Sequence, residues 1–398
     1  MTEAFVFDGV RTPFGKMGGA LSGVRPDDLA ELVISTLVSR APGISAGTSG
    51  EVVGEVIFGN ANGAGEENRN VARMAWLLAG GSMSVPASTV NRLCGSSLDA
   101  AIQAARQVKL DESEAVLVGG VESMSRAPWV LPKTERPFPM KNLELTNTSL
   151  GWRLINSRMP AEWTVSLGEA TEQLREKYGI VREDMDEFAA ASHRLAAQAW
   201  EDGHYDELTV QVPGADLTQD ETIRSDTTPE ALAGLKTVFR KEDGTVTAGN
   251  ASPMNDGASA AWIGSEAGGE KLGLKPKARI AGWGAAANEP QYFGYAPVEA
   301  SNRALEHAGI TWADVEAVDL NEAFAAQSLA CIRAWDIDPT IVNAWGGAIA
   351  VGHPLGASGV RCLSTLAARM QHTGARWGVA TLCIGVGQGL AIVLENTN

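Results

Sequence analysis

Three stretches from the first third of the chain recur in the same order near its C-terminus, and this repetition constrains the fold more than any other feature. The pairs are EVVGEVIFGNA with DVEAVDLNEA, VNRLCGSSLDA with VNAWGGAIAVGHPLGASG, and AVLVGGVESMS with GVATLCIGVGQG. Apolar runs typical of buried strands occur in these pairs, and apolar residues at helical spacing follow the second pair. The repetition predicts one strand–helix–strand layout used twice.

Strands and helices alternate in both copies of this layout. In the first copy we predict strands at 4–7, 51–58, 85–90 and 115–118 and helices at 27–38, 70–79 and 98–108. In the second copy we predict helices at 298–307 and 358–370 and strands at 315–320 and 379–383, with a glycine turn leading to a last strand. Alternation of this kind predicts a parallel sheet that is covered on both faces.

The size and charge of the chain exclude some classes of function. Its 398 residues exceed one ordinary core, so we expect two or three domains. A hydrophobic content of 44% with 20% charged residues is typical of a soluble globular protein. The formal net charge of −16 argues against nucleic acid or a membrane as a partner, because both require a basic surface.

Cysteine usage indicates a reducing compartment. The chain has four cysteines with no CxxC pair among them: Cys94, Cys331, Cys362 and Cys383. Neither they nor the five histidines show zinc-ligand spacing, so we expect reduced thiols, no metal site and a cytoplasmic protein. The N-terminal segment MTEAFVFDGVRTPFGK does not resemble a signal peptide, and no apolar stretch reaches the ~20 residues that cross a bilayer.

Cys94 lies where the predicted strand at 85–90 is followed by a helix. Backbone N–H groups at the start of a helix are unpaired and carry positive partial charge. We therefore expect them to favour the thiolate, which is the reactive form of cysteine. A cysteine that fills a gap between strand and helix is the alternative, and this stretch alone leaves both interpretations open.

Three further residues have the chemistry of an acid–base or oxyanion site. His353 lies in a glycine-rich loop at 343–359, and the ordinary pKa of histidine suits proton transfer near neutral pH. Cys383 ends a predicted strand in front of a glycine turn. Asn321 follows another strand and can donate to an oxyanion or hold a water. The alternatives are a structural histidine and an asparagine that caps a helix.

A different kind of sequence separates the two copies, at about 125–247. Charge clusters such as KTERPFPMKN and a polar run, LTQDETIRSDTTPE, replace the alternation of strand and helix patterns. Long irregular insertions in compact enzymes usually cover a ligand. We interpret this segment as an inserted, partly helical lobe with that purpose.

Four motifs, in their order and spacing, resemble those of the thiolases: NRLCGSSLDA, NEAF, NAWGGAIAVGHPLGASG and CIGVGQG. RTPFGK at 11–16, GGVESMSRAP and AGNAS extend the resemblance over essentially the whole chain. It implies an α/β fold of two βαβαβαββ halves in a five-layered αβαβα sandwich with an inserted loop domain. The implied domains are 1–124 with 248–275 for the N-terminal half, 125–247 for the loop domain that binds CoA, and 276–398 for the C-terminal half.

The resemblance implies an acyltransferase that cleaves a 3-ketoacyl-CoA with CoA or condenses two acyl-CoA units in reverse. CoA would be a co-substrate, and no cofactor would be tightly bound. Cys94 would carry the acyl group as a thioester, His353 would activate it, and Cys383 would be the second acid or base. Asn321 would hold a water beside His353 in one oxyanion hole, and the N–H groups of Cys94 and Gly385 would form the other.

The resemblance also implies contacts with CoA and with the acyl chain. Arg224 would lie near the CoA phosphates or adenine and Ser252 near the pantetheine arm, although a surface role for Arg224 is the alternative. Leu167 and Phe293 stand where many short-chain thiolases carry methionine, so we expect a differently shaped acyl pocket. The further candidates for binding are Phe239, Ala248 and Phe324.

The run NTSLGWRLIN at 147–156 is similar to the β-ketoadipyl-CoA thiolase branch. A dicarboxylic acyl chain needs a basic partner, and either Arg153 or Arg158 could serve, although both could equally be surface residues.

We place a general 3-ketoacyl-CoA thiolase ahead of any single chain length, with an acetyl-CoA acetyltransferase as an alternative. A condensing enzyme of the ketoacyl-synthase type and a non-catalytic acyl-CoA or lipid carrier stay open as competing hypotheses. The family implies a homodimer or homotetramer.

Overall fold

The structure, a computed structural model, describes residues 2–45 and 48–398. The strands are β1 (Phe5–Arg11), β2 (Gly15–Lys16), β3 (Val53–Gly59), β4 (Ala87–Val90), β5 (Ala115–Ser123), β6 (Trp129–Val130), β7 (Thr146–Asn147), β8 (Asn255–Gly264), β9 (Ala278–Ala287), β10 (Ala317–Leu320), β11 (Trp377–Ile384) and β12 (Gln388–Asn396). The helices are α1 (Pro26–Arg40), α2 (Val71–Leu78), α3 (Ser96–Lys109), α4 (Leu167–Tyr178), α5 (Arg182–Glu201), α6 (Pro229–Ala233), α7 (Glu266–Leu272), α8 (Ala296–Ala308), α9 (Ala325–Trp335), α10 (Ala348–Val351) and α11 (Ser358–Thr373).

The main strands hydrogen-bond in one continuous path, in the order β10-β11-β12-β9-β1-β8-β5-β3-β4, with β2 beside β8. Two half-sheets of the same design meet where β1 pairs with β9 over two residue positions. Outwards from that junction, β1-β8-β5-β3 corresponds to β9-β12-β11-β10. The outer place of β4 is taken in the second half by Val342, which bridges to Val318. The predicted duplication is confirmed.

Helices cover both faces of each half-sheet and arrange the chain in five layers. α1 and α2 pack outside the first half-sheet, and α8 and α9 pack outside the second. α3 and α11 lie between the half-sheets, in a core that contains residues of both. In β5, Val116 and Val118 face this central core, while Ala115 and Leu117 face the outer one, as the period of two along a strand requires. The predicted αβαβα sandwich is confirmed.

The sheet is mixed, so the prediction of a parallel sheet is wrong in part. β4, β3 and β5 run parallel, as do β10 and β11. β12 is antiparallel to β11, because a turn at 385–387 returns the chain directly, whereas parallel strands need a long crossover. β8 is likewise antiparallel to β5. Sequence reasoning missed β8, β9 and α9; the two strands are rich in Ala and Gly, which carry weak strand signals.

The segment between β5 and β8 contains the hairpin of β6 and β7 and the helices α4, α5 and α6. Ser166 is the N-cap of α4, where its hydroxyl oxygen accepts the Glu169 N–H at 3.2 Å, and Gly179 is the C-cap, with a φ of +65°. Arg11 in β1 ties this segment to the core through two hydrogen bonds to Asp220, of 2.6 and 2.7 Å. Both partners are buried, and the two parallel bonds fix the direction in which the segment leaves the core.

The central helices α3 and α11 touch near their N-terminal ends. A Cβ added at Gly359 would lie 2.3 Å from the backbone nitrogen of Leu98, so only glycine allows this approach. Each of the two helices follows one of the predicted reactive loops. The contact therefore brings the loops of Cys94 and His353 to the same end of the central layer.

Substitution of Gly359 tests how tightly this crossing is packed. We expect Gly359→Ala to lower the free energy of unfolding by about 2 kcal/mol, because the added methyl group forces the two helices apart. Gly23→Ala is the matched control, since nothing lies within 4 Å of a Cβ at that position. Urea unfolding followed by circular dichroism measures both. Equal midpoints for the two variants would contradict the tight crossing.

Candidate active site

Cys94 lies in the tight turn that leads from β4 into α3. Leu93 before it has a φ of +47°, and Gly95 after it is the N-cap of the helix. The thiol is buried, and the backbone N–H groups of Cys94 itself and of Gly385 lie near enough to its sulfur to favour the thiolate. The sulfur therefore lies in a small cradle of N–H donors at a helix start, where the sequence predicts it.

Burial raises the pKa of the Cys94 thiol to about 11. The N–H groups of Gly385 and Cys94 lower this pKa, but the cost of placing a charge in the core is larger than their effect. The expectation of a resting thiolate is therefore wrong, and the free protein holds a protonated thiol at neutral pH. A general base would have to take this proton before the sulfur could act as a nucleophile.

The turn that presents the Gly385 N–H is strained. Val386 has a φ of +65°, a conformation that costs a β-branched residue about 1–3 kcal/mol. Two side chains lie against Gly385: a Cβ added there would be 3.1 Å from the Trp152 ring and 3.4 Å from Leu93 Cδ1. Since Leu93, beside Cys94, also has a positive φ, strain is stored on both sides of the N–H cradle. Strain in such a place is typical of a functional site.

The His353 imidazole is buried and held by several hydrogen bonds. The backbone N–H of His353 donates to Asn255 Oδ1 at 3.0 Å, directly after Gly352, whose φ is +106°. His353 Nδ1 lies 2.6 Å from Ser358 Oγ, and that hydroxyl donates to Pro354 O at 2.8 Å. Because the hydroxyl proton is used in this way, we infer that Nδ1 carries the ring hydrogen and Nε2 remains a proton acceptor.

A buried cation orients Asn321 towards this ring. Arg361 donates to Asp319 Oδ1 at 2.9 Å and to Asn321 Oδ1 at 3.0 Å. With its Oδ1 on Arg361, the amide turns Nδ2 towards His353, 3.3 Å from Nδ1 and 3.4 Å from Nε2. The helix-capping alternative for Asn321 is wrong, since the N-cap of α9 is Phe324.

Burial lowers the pKa of His353 to about 3, and the Arg361 charge contributes to the shift. The imidazole is therefore neutral at physiological pH. Since this pKa lies below the ordinary value of 6.5, the group stabilises the fold above pH 6.5 and destabilises it as the pH falls towards about 3. A neutral imidazole can accept a proton at physiological pH.

Cys383 brings a second buried thiol to the same place. It lies in β11, two residues before Gly385. Burial raises its pKa well above the ordinary value, and the neighbouring Cys94 and Cys331 sulfurs raise it further. Cys383 is therefore protonated at neutral pH, and it lies close enough to Cys94 for charges on the two sulfurs to interact.

An apolar cluster lines the Cys383 side of the site. The Phe293 and Phe324 rings meet edge to face with centroids 6.3 Å apart, and Leu167 packs against the cluster. Phe239 covers the start of α4, where a Cβ added at Gly168 would lie 2.1 Å from its ring. One apolar cluster therefore includes Leu167, Phe293 and Phe324. The sequence predicts that each of them contacts ligand, and they lie on three separate segments.

The AGNAS motif lies against the NEAF motif. The Ser252 N–H donates to Ala323 O at 3.0 Å, and Ala251 bridges to Phe324. Ala248 and Arg224 are exposed. The structure does not bring Arg224 into contact with the thiols.

The two arginines proposed for a dicarboxylic chain differ in their surroundings. Arg153 is half-buried and donates to Asn62 Oδ1 at 2.8 Å. Arg158 is exposed. Arg158 is therefore a surface residue, which was one of the two possibilities for both arginines, whereas Arg153 is not.

Sequence reasoning missed Glu122, which connects the ends of β3 and β5 with the glycine-rich loop. Its carboxylate accepts the N–H groups of Ala61, Asn62 and Gly356 at 2.9, 3.1 and 2.9 Å. Burial raises its pKa to about 7 in spite of these bonds. The sequence signal for Glu122 is a single charged residue directly after the apolar run VLVGGV. Such a run predicts a buried strand, and a buried charge needs partners. Asp319, inside β10, carries the same signal.

Neither a metal centre nor a membrane helix emerges from the described residues, 2–45 and 48–398. No group of three or more His, Cys, Asp or Glu side chains among them could hold a metal ion. No helix among them is long and apolar enough to cross a membrane.

Comparison with protein families identifies the arrangement. The model of the thiolase N-terminal domain matches residues 4–267, and that of the thiolase C-terminal domain matches residues 274–396. The chain belongs to the thiolase family. It is therefore an acyltransferase, as the motifs around Cys94 and His353 predict.

Relatives of this thiolase match it along almost its whole length. The β-ketoadipyl-CoA thiolase of Escherichia coli is 46% identical over 405 residues, covering 99% of this chain and 100% of its own. The acetyl-CoA acetyltransferase of Pseudomonas aeruginosa is 42% identical and covers 99% of both chains. Human mitochondrial 3-ketoacyl-CoA thiolase, solved in complex with CoA, superposes with a TM-score of 0.92 at 35% identity, covering 100% of this chain and 98% of its own.

The high pKa of Cys94 makes its reactivity dependent on pH. We expect the rate of its alkylation by iodoacetamide to rise about tenfold per unit between about pH 7 and 9, because the thiolate fraction rises tenfold per unit below the pKa. Mass spectrometry of the intact protein measures the rate, and Cys94→Ser is the control. A rate that levels off below about pH 8 would show instead a resting thiolate.

Proposed function

We propose that this thiolase cleaves a 3-ketoacyl-CoA with CoA, and catalyses the reverse condensation, through an acyl thioester on Cys94. The observation that carries the proposal is the pair of N–H groups, from Cys94 and Gly385, that converge on a buried thiol beside a second buried thiol, Cys383. The reaction forms an enolate next to a thioester. A water-excluded site with fixed donors stabilises that kind of charge.

In the first half-reaction, Cys94 attacks the 3-keto carbon as His353 takes the thiol proton. The C2–C3 bond breaks, the acyl group remains on Cys94 as a thioester, and C2 leaves as the enolate of acetyl-CoA. Cys383 gives its proton to C2. The neutral state of His353 and the raised pKa of Cys383 support these roles, because one group has to accept a proton and the other has to donate one.

In the second half-reaction, the thiol of CoA gives its proton to ionised Cys383 and attacks the thioester. Acyl-CoA leaves, and the proton held by His353 returns to the Cys94 sulfur. In the direction of condensation, Cys383 removes a proton from C2 of acetyl-CoA, and the resulting carbanion attacks the acyl group on Cys94. The cycle restores both thiols in either direction.

Two sets of donors would stabilise the oxygens that become negative. The N–H groups of Cys94 and Gly385 suit the oxygen of the tetrahedral intermediate, and each such donor is worth about 3 kcal/mol in the transition state. His353 Nε2 becomes a donor once it holds the Cys94 proton, and it then suits the enolate oxygen together with a water on Asn321. The hydrogen bond from Arg361 supports this role, since it fixes the amide of Asn321.

We further propose that CoA binds between the segment at 125–247 and the core. Ser252 would meet the pantetheine arm and the exposed Arg224 the phosphates, with Phe239, Ala248 and Phe324 around them. The backbone N–H of Arg224 donates to His193 Nδ1 at 3.2 Å, which supports a fixed backbone at the base of this exposed side chain.

The acyl chain of the substrate is proposed to be dicarboxylic. Identity to a named β-ketoadipyl-CoA thiolase, at 46%, exceeds that to a named acetyl-CoA acetyltransferase, at 42%, and this difference favours the first activity. Leu167 and Phe293 would shape the inner end of the acyl pocket.

Two competing functions make different predictions. A condensing enzyme of the ketoacyl-synthase type requires activity on acyl carrier protein with none on CoA thioesters, and a non-catalytic carrier requires binding of CoA esters without turnover.

Loss of the nucleophile tests the mechanism. We expect Cys94→Ser to reduce both thiolysis and condensation by at least about a thousandfold, because a serine hydroxyl is a far weaker nucleophile and no thioester can form. Cys362→Ala, in α11, is the matched control and should keep the activity of the wild type. Thiolysis is measured as the loss of 3-ketoacyl-CoA absorbance. Undiminished turnover by Cys94→Ser would end the assignment.

We also propose that the protein is a homodimer or a homotetramer. The segment at 129–163 supports this, because it exposes large apolar side chains that are costly to leave in water, with Phe138 at 88% and Met140 at 99% exposed. Trp129, Leu145 and Leu150 in the same segment are exposed as well. β4 also supports assembly, since within the described residues its outer edge pairs with no other strand.

Polar substitution of the exposed segment tests assembly. We expect Phe138→Ser combined with Met140→Ser to lower the molar mass of the protein in solution, because apolar contacts between copies are lost. Leu110→Ser is the control, since Leu110 is 66% exposed but lies at the end of α3. Light scattering during size-exclusion chromatography gives the mass. An unchanged mass in the double variant would rule this segment out as an interface.

A further inference from the structure

Arg153 is a half-buried cation that pairs with no carboxylate among residues 2–45 and 48–398. Its Nη2 donates to Asn62 Oδ1 at 2.8 Å, and its Nη1 donates to Thr148 O at 3.4 Å. Both acceptors are neutral, and in the described part of the chain the guanidinium has no ion pair. Other half-buried arginines, such as Arg126 and Arg240, are paired with glutamates. Partial burial of an uncompensated cation costs stability, so its presence indicates a ligand with negative charge.

Two chains of contacts connect Arg153 with the turn that contains Cys94. The first runs through Trp152, whose ring lies near Gly385, and the Gly385 N–H lies near the Cys94 sulfur. The second runs through Asn62, whose Oδ1 accepts from Arg153. The carbonyl oxygen of the preceding residue, Ala61, accepts Asn91 Nδ2 at 3.0 Å. The guanidinium therefore lies where the ends of β3 and β4 meet the Cys94 turn.

One buried carboxylate lies nearby but is occupied elsewhere. Asn62 joins the two groups, since its N–H donates to Glu122 Oε1 at 3.1 Å and its Oδ1 accepts from Arg153. Glu122 also accepts the N–H groups of Ala61 and Gly356. Its oxygens are therefore satisfied without the guanidinium, and Arg153 keeps N–H donors that no described residue uses.

We propose that Arg153 binds the terminal carboxylate of a dicarboxylic 3-oxoacyl chain and selects such substrates over neutral chains of equal length. The inference rests on the proposed function, because it concerns the acyl group that Cys94 receives. Cleavage of a 3-oxoadipyl thioester between C2 and C3 leaves a succinyl group on the sulfur. Its free carboxylate lies two methylene groups beyond the thioester carbonyl, so the partner has to lie close to Cys94. The guanidinium offers parallel N–H donors that match a carboxylate.

Paired substrates test the inference with the full-length protein. We expect the wild type to cleave 3-oxoadipyl-CoA with a higher kcat/KM than 3-oxohexanoyl-CoA, which has the same carbon count and no terminal charge. Arg153→Gln should lower kcat/KM for 3-oxoadipyl-CoA about 50-fold and change that for 3-oxohexanoyl-CoA less than about threefold. Arg153→Lys should lose part of this preference, since an ammonium cannot form the two parallel bonds. Arg158→Gln, on the same segment but exposed, is the matched control and should resemble the wild type.

The remaining outcomes separate this inference from the proposed function. Equal losses on both substrates in Arg153→Gln would assign the arginine to CoA binding or to folding and would overturn the inference, as would an unchanged preference for 3-oxoadipyl-CoA. A wild type that cleaves only the neutral chain would also overturn it while leaving the thiolase activity in place. A wild type that cleaves neither substrate contradicts the proposed function. The activity that Arg153→Gln retains on 3-oxohexanoyl-CoA shows that the variant is folded.

Discussion

The contact between the starts of α3 and α11 is the constraint on which the site depends. The two helices are buried between the half-sheets, and they approach closely because Gly359 has no side chain to meet the backbone of Leu98. Each half of the duplicated layout contributes one of these helices, and each helix follows a loop with a reactive residue. The packing of the two halves therefore brings together two loops, and neither half contains both of them. Cys94 comes from one half and His353 from the other.

Burial, more than any single neighbour, decides the charges in this site. It keeps Cys94 and Cys383 protonated and His353 neutral, so these three groups are uncharged in the free protein. Arg361 is charged and buried, but Asp319 pairs with it, and its remaining hydrogen bond aligns Asn321. The two thiols and the imidazole are therefore neutral at rest, and backbone N–H donors are fixed beside the Cys94 sulfur. Such a site favours the negative oxygens of a transition state over any resting anion.

The positions of the candidate site residues in the fold could largely be predicted, because these residues lie in or beside glycine-rich turns between strands and helices. Such turns have local sequence signals, and the element order around Cys94, His353 and Cys383 followed from them. The orientation of β8 and β12 could not be read with the same rules, since strand patterns do not contain strand direction. The contribution of Glu122 could not be assigned either, because its three partners come from segments that are distant in sequence.

By itself, the sequence determined the duplication, the position of Cys94 at a helix start and the family motifs around it, all of which depend on residues that are near one another along the chain. Only the tertiary structure decided that Cys94 is a thiol rather than a thiolate. It also decided that Arg153, unlike Arg158, is half-buried, with no counter-charge among the described residues. Desolvation is the physical reason. How much water a group loses depends on which distant segments pack over it, and no local pattern records that.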